Sequence, residues 1–180
     1  VQGLVDEIII VDAQSTDQTA TIAKKYTNRI FSRPWTNDFA EARNESIKHA
    51  TKKWILVLDA DEVIAKEDHD KIKALTENEQ HDAYTFIQAS YTKDITQFGF
   101  TPIKDSIPEA KNFLGYISCN IIRLFRNHKK IQFANPVHES VDASIPDKKR
   151  IGMTEIMIHH YQFEKGAEKQ KEKQLQYLKI

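Results

Sequence analysis

Two apolar runs in this chain each end abruptly in a carboxylate. Glu7-Ile-Ile-Ile-Val-Asp12 and Trp54-Ile-Leu-Val-Leu-Asp59 carry no polar residue between their ends. That pattern predicts strands buried on both faces, as in the middle of a parallel sheet. Between them, Ser15-Thr16-Asp17 supplies N-cap chemistry for a helix over residues 17–26. A short strand is expected over 29–32. Asp38 then caps a helix over 38–49 whose apolar side carries Ala40, Ile47 and Ala50. The lead-in reads β-α-β-α-β, which predicts a parallel, right-handed α/β sheet with covering helices.

Beyond Asp61 the pattern changes. A polar helix is expected over 67–77, followed by a long alternating strand over 83–91. Residues 92–115 hold Pro102, Pro108 and two glycines without clear periodicity, which predicts a mobile or substrate-covering loop. Further strands are expected over 120–126, 131–133, 137–141 and 151–160. A Lys- and Glu-rich helix is expected over 164–180. The first third thus reads as a nucleotide-binding half-sheet (1–62), and residues 63–163 as a mixed sheet forming the other wall of a cleft.

Bulk composition narrows this little. Lys plus Arg and Asp plus Glu are both 26 in 180 residues, so the formal charge is zero and no global field favours nucleic acid or an anionic membrane. The single cysteine, Cys119, excludes an intramolecular disulfide and a multi-thiolate zinc site. Its apolar neighbours predict a buried structural thiol. No stretch is long and apolar enough for a membrane span. The chain opens at Val1 and almost at once enters a strand, so residues are expected upstream.

The candidate chemistry gathers at the strand ends. Asp59 and Asp61 are one residue apart, and two such carboxylates repel unless a cation lies between them; a divalent ion on a substrate phosphate is the usual answer. The plainer alternative is a polar turn. Asp12 can accept the imino proton of a uracil or thymine ring, or simply cap its own turn. No glycine-rich phosphate loop follows either strand, so any phosphate must be held by a metal and side chains. Arg43 can reach a phosphate or stack on a base, or pair with Asp38 or Glu41.

Three segments together resemble family 2 glycosyltransferases of the GT-A fold: Val11-Asp12-Ala-Gln-Ser15-Thr16-Asp17-Gln-Thr19, Asp38-Phe-Ala-Glu-Ala-Arg43-Asn44 and Leu58-Asp59-Ala-Asp61-Glu62. Arg123-Leu-Phe-Arg126, Val137-His138-Glu139 and His160-Tyr161 are similar to the branch that includes lipopolysaccharide-core and peptide glycosyltransferases. The resemblance implies a mostly parallel central sheet with helices on both faces and a smaller mixed or antiparallel acceptor half. It implies inverting transfer of a sugar from a nucleoside diphosphate donor, a UDP-sugar, to a glycan, lipid-linked or peptide acceptor, with Mg²⁺ or Mn²⁺. It places Asp12, Arg43 and Asp59 at the donor nucleotide, Asp61 and His160 at the metal, and Glu139 as general base. Arg123, Arg126 and His138 are its candidates for acceptor or phosphate contact. His159, next to His160 on a strand, should point to the opposite face.

A cytoplasmic location, at the inner face of the membrane, is expected, with the C-terminal helix a candidate contact for a membrane, a partner or a following domain, or else a solvated packing helix. One family feature, a first strand with an Asn-Glu motif lining the nucleotide pocket, has no match here. Two rival readings therefore stand beside it. Leu58-Asp59-Ala-Asp61-Glu-Val63 also satisfies the strand end of haloacid-dehalogenase-type phosphatases, with Asp59 as nucleophile, although there the motif sits on the first strand. A degenerate GT-A domain used only for binding is the other.

Overall fold

A computed structural model describes residues 1–104, 107–128 and 130–161. Among these residues eight strands and three α-helices follow in the order β1 (Ile10–Asp12), α1 (Thr19–Ala23), β2 (Ile30–Ser32), α2 (Phe39–His49), β3 (Trp54–Leu56), β4 (Glu62–Ile64), α3 (His69–Glu77), β5 (Ala83–Thr92), β6 (Phe100–Pro102), β7 (Gly115–Arg126) and β8 (Ile151–His160). Helix α2 begins where the sequence predicts: the Asp38 carboxylate accepts from Glu41 N–H at 2.8 Å, a standard N-cap. Helix α1 is only five residues long, shorter than expected, and its N-cap residue, Gln18, makes no side-chain capping bond. The Asp17 carboxylate instead accepts from Thr19 N–H, two residues on, a turn geometry that competes with helix.

The predicted single parallel sheet is not what forms. β1 and β2 pair in parallel as a separate two-stranded sheet. β3 lies at the edge of a mixed six-stranded sheet, in the order β3-β7-β5-β8-β4, and pairs antiparallel with β7. β6 pairs β7 on the same edge, further along. An apolar run reports burial but not neighbours, so it could not tell β3 from a central strand. Here β3 is only half-buried, and a groove of about 1040 Å³ separates it from β1. Residues Val5 to Val11 form one wall and Lys52 to Ala60 the other, with Ala42, Ser46 and Ile47 of α2 on one side and Ile72 of α3 on the other.

Other expectations change too. Residues 131–133 and 137–141 are not strands; an isolated bridge joins Ser140 to Ala134, just beyond the first of them. Much of 92–115 is docked rather than loose, because it carries β6 and a 3₁₀ turn whose Ala110 is buried. Ile103, Ile107 and Phe113 pack there around Tyr91. Cys119 is exposed, not buried. The expected helix over 164–180 lies outside the described residues, and no described helix is long and apolar enough to cross a membrane.

The large sheet is packed on both faces. Ala83, Ile122 and Phe125 meet Ala40 of α2 and the segment bearing Ile131, Phe133, Val141 and Ile145. On the other face Tyr84, Phe86, Leu124 and Ile158 meet Ile64 and Ile72. Phe125→Ala removes a fully buried ring and should cost about 3–5 kcal/mol in urea unfolding. The exposed Phe98, changed to Ala, should stay within about 0.5 kcal/mol of the parent.

Candidate active site at the end of β3

The chain leaves β3 at Leu56 and turns sharply through Asp59-Ala60-Asp61 into β4. Glu62 fastens this turn in both directions. Its N–H donates to the Asp59 carbonyl at 3.1 Å, and its carboxylate accepts from Asp59 N–H at 2.8 Å. The Asp61 carbonyl accepts from Tyr161 N–H at 3.0 Å, which ties the turn to the end of β8.

Five charged groups meet here. Arg43, on α2, bonds Asp59 through both terminal nitrogens, at 2.8 and 3.0 Å. Its Nε donates to Glu139 at 2.6 Å. Arg123 donates to Asp59 at 3.3 Å and to Glu62 at 2.7 Å. Burial pushes the Asp59 carboxyl up, but the guanidiniums of Arg43 and Arg123 outweigh it and hold it at about 2. Burial likewise lowers the Arg43 value, and its two carboxylate partners raise it well above the ordinary arginine range. Asp59 and Arg43 are therefore charged throughout the neutral range.

Backbone features aim these side chains. Tyr84 pairs with Leu124 and Thr85 with Ile122, so Arg123 is the extra residue of a bulge in β7. A bulge re-aims the side chain it carries, and here it delivers an almost fully buried guanidinium to Asp59 and Glu62. Glu139 sits on a loop held by α2. Asn44 exchanges two hydrogen bonds with the Phe133 backbone, at 2.8 and 2.9 Å, and Phe39 N–H donates to the Pro136 carbonyl at 2.9 Å. Asn135 and His138 adopt left-handed conformations on either side of Pro136 and Val137, a shape that a non-glycine residue holds only under local constraint.

Asp61 and His160 form a second pair, with Oδ1 and Nε2 3.7 Å apart. Ser90 Oγ lies 2.9 Å from the other ring nitrogen of His160. His159 points to the opposite face, as the strand alternation predicts, and meets the Tyr91 hydroxyl at 2.6 Å. Among the described residues no three His, Cys, Asp or Glu side chains converge as a metal site; Asp61 and His160 meet as a pair.

The structure thus gathers Arg43, Asp59, Arg123 and Glu139, and sets Asp61 beside His160. It does not bring Arg126 to them. That residue pairs with Trp54 at the start of β3, with its guanidinium 4.4 Å from the Trp54 ring. Asp12 ends β1 with its carboxylate accepting from the Ser15 hydroxyl at 2.5 Å and from Ser15 N–H, the turn-capping arrangement. His138 is exposed. Glu62, Gln88 and Ser90 escaped the sequence reading as site residues. Their signal was present: Gln88 and Ser90 are the polar members of a face that Tyr84 and Phe86 begin.

A family model described as glycosyl transferase family 2 matches residues 2–138. The chain is 34% identical over 145 residues to a TPR repeat-containing protein of Synechococcus elongatus, covering 81% of this chain and 31% of that protein. It is 30% identical over 142 residues to the SPbeta prophage-derived glycosyltransferase SunS of Bacillus subtilis, covering 74% and 28%. The chain thus spans less than a third of either relative. Among solved structures, S. aureus TarS 1–349 in complex with UDP-GlcNAc matches with a TM-score of 0.52 at 18% identity, over 87% of this chain and 49% of TarS. Its complex with UDP also gives 0.52. The fold is GT-A.

The depressed Asp59 value has a signed consequence. Its contribution to stability is complete above about pH 3.8 and is lost as the pH falls towards about 2. Thermal melts of the parent should therefore show a steeper loss of midpoint across that window than melts of Asp59→Asn, which has no such carboxyl to protonate.

Proposed function

The chain belongs to glycosyl transferase family 2, and on that premise we propose that it takes a sugar from a nucleoside diphosphate donor, a UDP-sugar, and passes it with inversion to a hydroxyl or thiol of an acceptor. The observation that carries this reading is the cluster at the end of β3. Two guanidiniums meet Asp59 and an imidazole faces Asp61, on one and the same turn, suited to a diphosphate that departs with growing negative charge. The UDP and UDP-GlcNAc complexes of TarS support the choice of donor.

Asp61 and His160 fit a divalent cation. Their facing atoms are 3.7 Å apart, within the span of two bonds of about 2.1 Å to one ion. Diphosphate oxygens and water would complete the coordination. Asp61 and His160 would hold Mg²⁺ or Mn²⁺, which would supply charge neutralisation at the leaving diphosphate. Arg43 and Arg123 supply the same from the protein. Glu139 takes the acceptor proton: Arg43 engages its Oε1, and Oε2 has no hydrogen bond among the described residues. The acceptor atom then attacks the anomeric carbon on the face opposite the diphosphate. Asp59 is held on both oxygens by guanidiniums, a setting that orients a ribose or sugar hydroxyl and hinders a phosphatase nucleophile. Acceptor identity, whether glycan, lipid-linked or peptide, belongs to the surface beyond Glu139 and His138.

Two variants test the assignment. Glu139→Gln should retain UDP affinity in calorimetry while sugar release from the donor falls about 10²- to 10⁴-fold; near-parental turnover would remove Glu139 from the role. Asp61→Asn should abolish the enhancement of UDP binding by Mn²⁺, and binding that ignores the metal in both proteins would refute the metal assignment.

A further inference from the structure

Glu62 is an unusual residue to find inside this sheet. Its side chain is wholly shielded from solvent (0% exposed), yet it is a carboxylate on the edge strand β4. Burying such a group is costly unless it is paired and fully hydrogen-bonded, and Glu62 is met by donors from three elements. Oε2 accepts from Asp59 N–H at 2.8 Å. Oε1 accepts from Arg123 at 2.7 Å and from the Gln88 amide of β5. Glu62 N–H also donates back to the Asp59 carbonyl.

These contacts add to one backbone tie, Val57 N–H to the Arg123 carbonyl at 2.9 Å, and reach side chains that it does not. The turn Asp59-Ala60-Asp61 follows an edge strand. The Arg123 guanidinium comes from a bulge in β7, and its Nε is buried without a hydrogen-bond partner, so the position of its Nη2 rests on Glu62 and Asp59. We propose that Glu62 is a positioning residue: without touching the donor, it sets the turn that carries Asp59 and Asp61 and the guanidinium of Arg123 in one fixed relation. This rests on the nucleotide-sugar reading above and adds a residue to it.

An amide cannot replace it. Gln at position 62 offers one acceptor and one donor, so either Asp59 N–H or Arg123 would face an N–H group. Exchanging the two residues, Glu62→Gln with Gln88→Glu, restores the inventory. The new amide oxygen accepts from Asp59 N–H, its NH₂ donates to the carboxylate at 88, and that carboxylate pairs with Arg123.

The test is UDP calorimetry with Mn²⁺ at a temperature where near-UV circular dichroism shows each variant folded. Glu62→Gln should bind UDP at least about tenfold more weakly than the parent, as expected when a charged hydrogen bond is lost. The exchanged pair should recover to within about threefold. A merely structural role would lower the melting midpoint of Glu62→Gln but leave the affinity of the folded protein at the parental value, and that result overturns the proposal. So does a folded exchange variant that stays about tenfold weak. Should Glu62→Gln not fold, amide exchange by NMR in the parent decides. Strong protection of Asp59 N–H supports the clamp, and exchange at the rate of an open loop refutes it. Absence of UDP binding by the parent itself would instead refute the nucleotide-sugar reading.

Discussion

The site depends on one guanidinium that bridges two halves of the molecule. Arg43 leaves α2, in the first third of the chain, and bonds Asp59 after β3 and Glu139 on a loop that lies 96 residues further on. The two carboxylates come from loops, the first fastened by Glu62 and the second by Asn44 and Phe39. Between these loops a planar, forked side chain fixes the separation more tightly than a lysine would. Asn44, one residue on, clamps the Phe133 backbone, and the Arg43 guanidinium lies 5.4 Å from the Phe133 ring. Helix α2 is thus both a packing element and the frame on which the candidate base is mounted.

The second constraint is the Asp59–Glu62 turn. Bonds within the turn close it, a bond to Tyr161 ties it to β8, and Arg123 braces it from the bulge in β7. Asp61 consequently faces His160 rather than solvent alone. The buried charges carry a desolvation cost, which their mutual pairing offsets. The same low-dielectric setting would strengthen their hold on the proposed diphosphate.

Much of this was legible in the sequence because local chemistry decided it. Asp38 caps α2, the apolar spacing of Ala40 and Ile47 faces it inward, and strand alternation separates His159 from His160. What was not legible came from contacts between distant segments. The apolar run at 54–58 reports that something covers it, but the pairing of β3 with β7 and the groove beside it depend on elements far along the chain. Arg123 and Arg126 look equivalent in Arg-Leu-Phe-Arg, yet a one-residue bulge sends the first to Asp59 and leaves the second beside Trp54. Glu62 read as one more acid in a polar turn; only the donors on β5 and β7 reveal it as buried.

The account is tested most directly by a crystal structure of the protein with UDP and Mn²⁺. It predicts an ion about 2.1 Å from an Asp61 oxygen and from His160 Nε2, with the diphosphate within hydrogen-bond reach of Arg43 or Arg123. Nucleotide bound away from the end of β3, or an ion that ignores both Asp61 and His160, would contradict it.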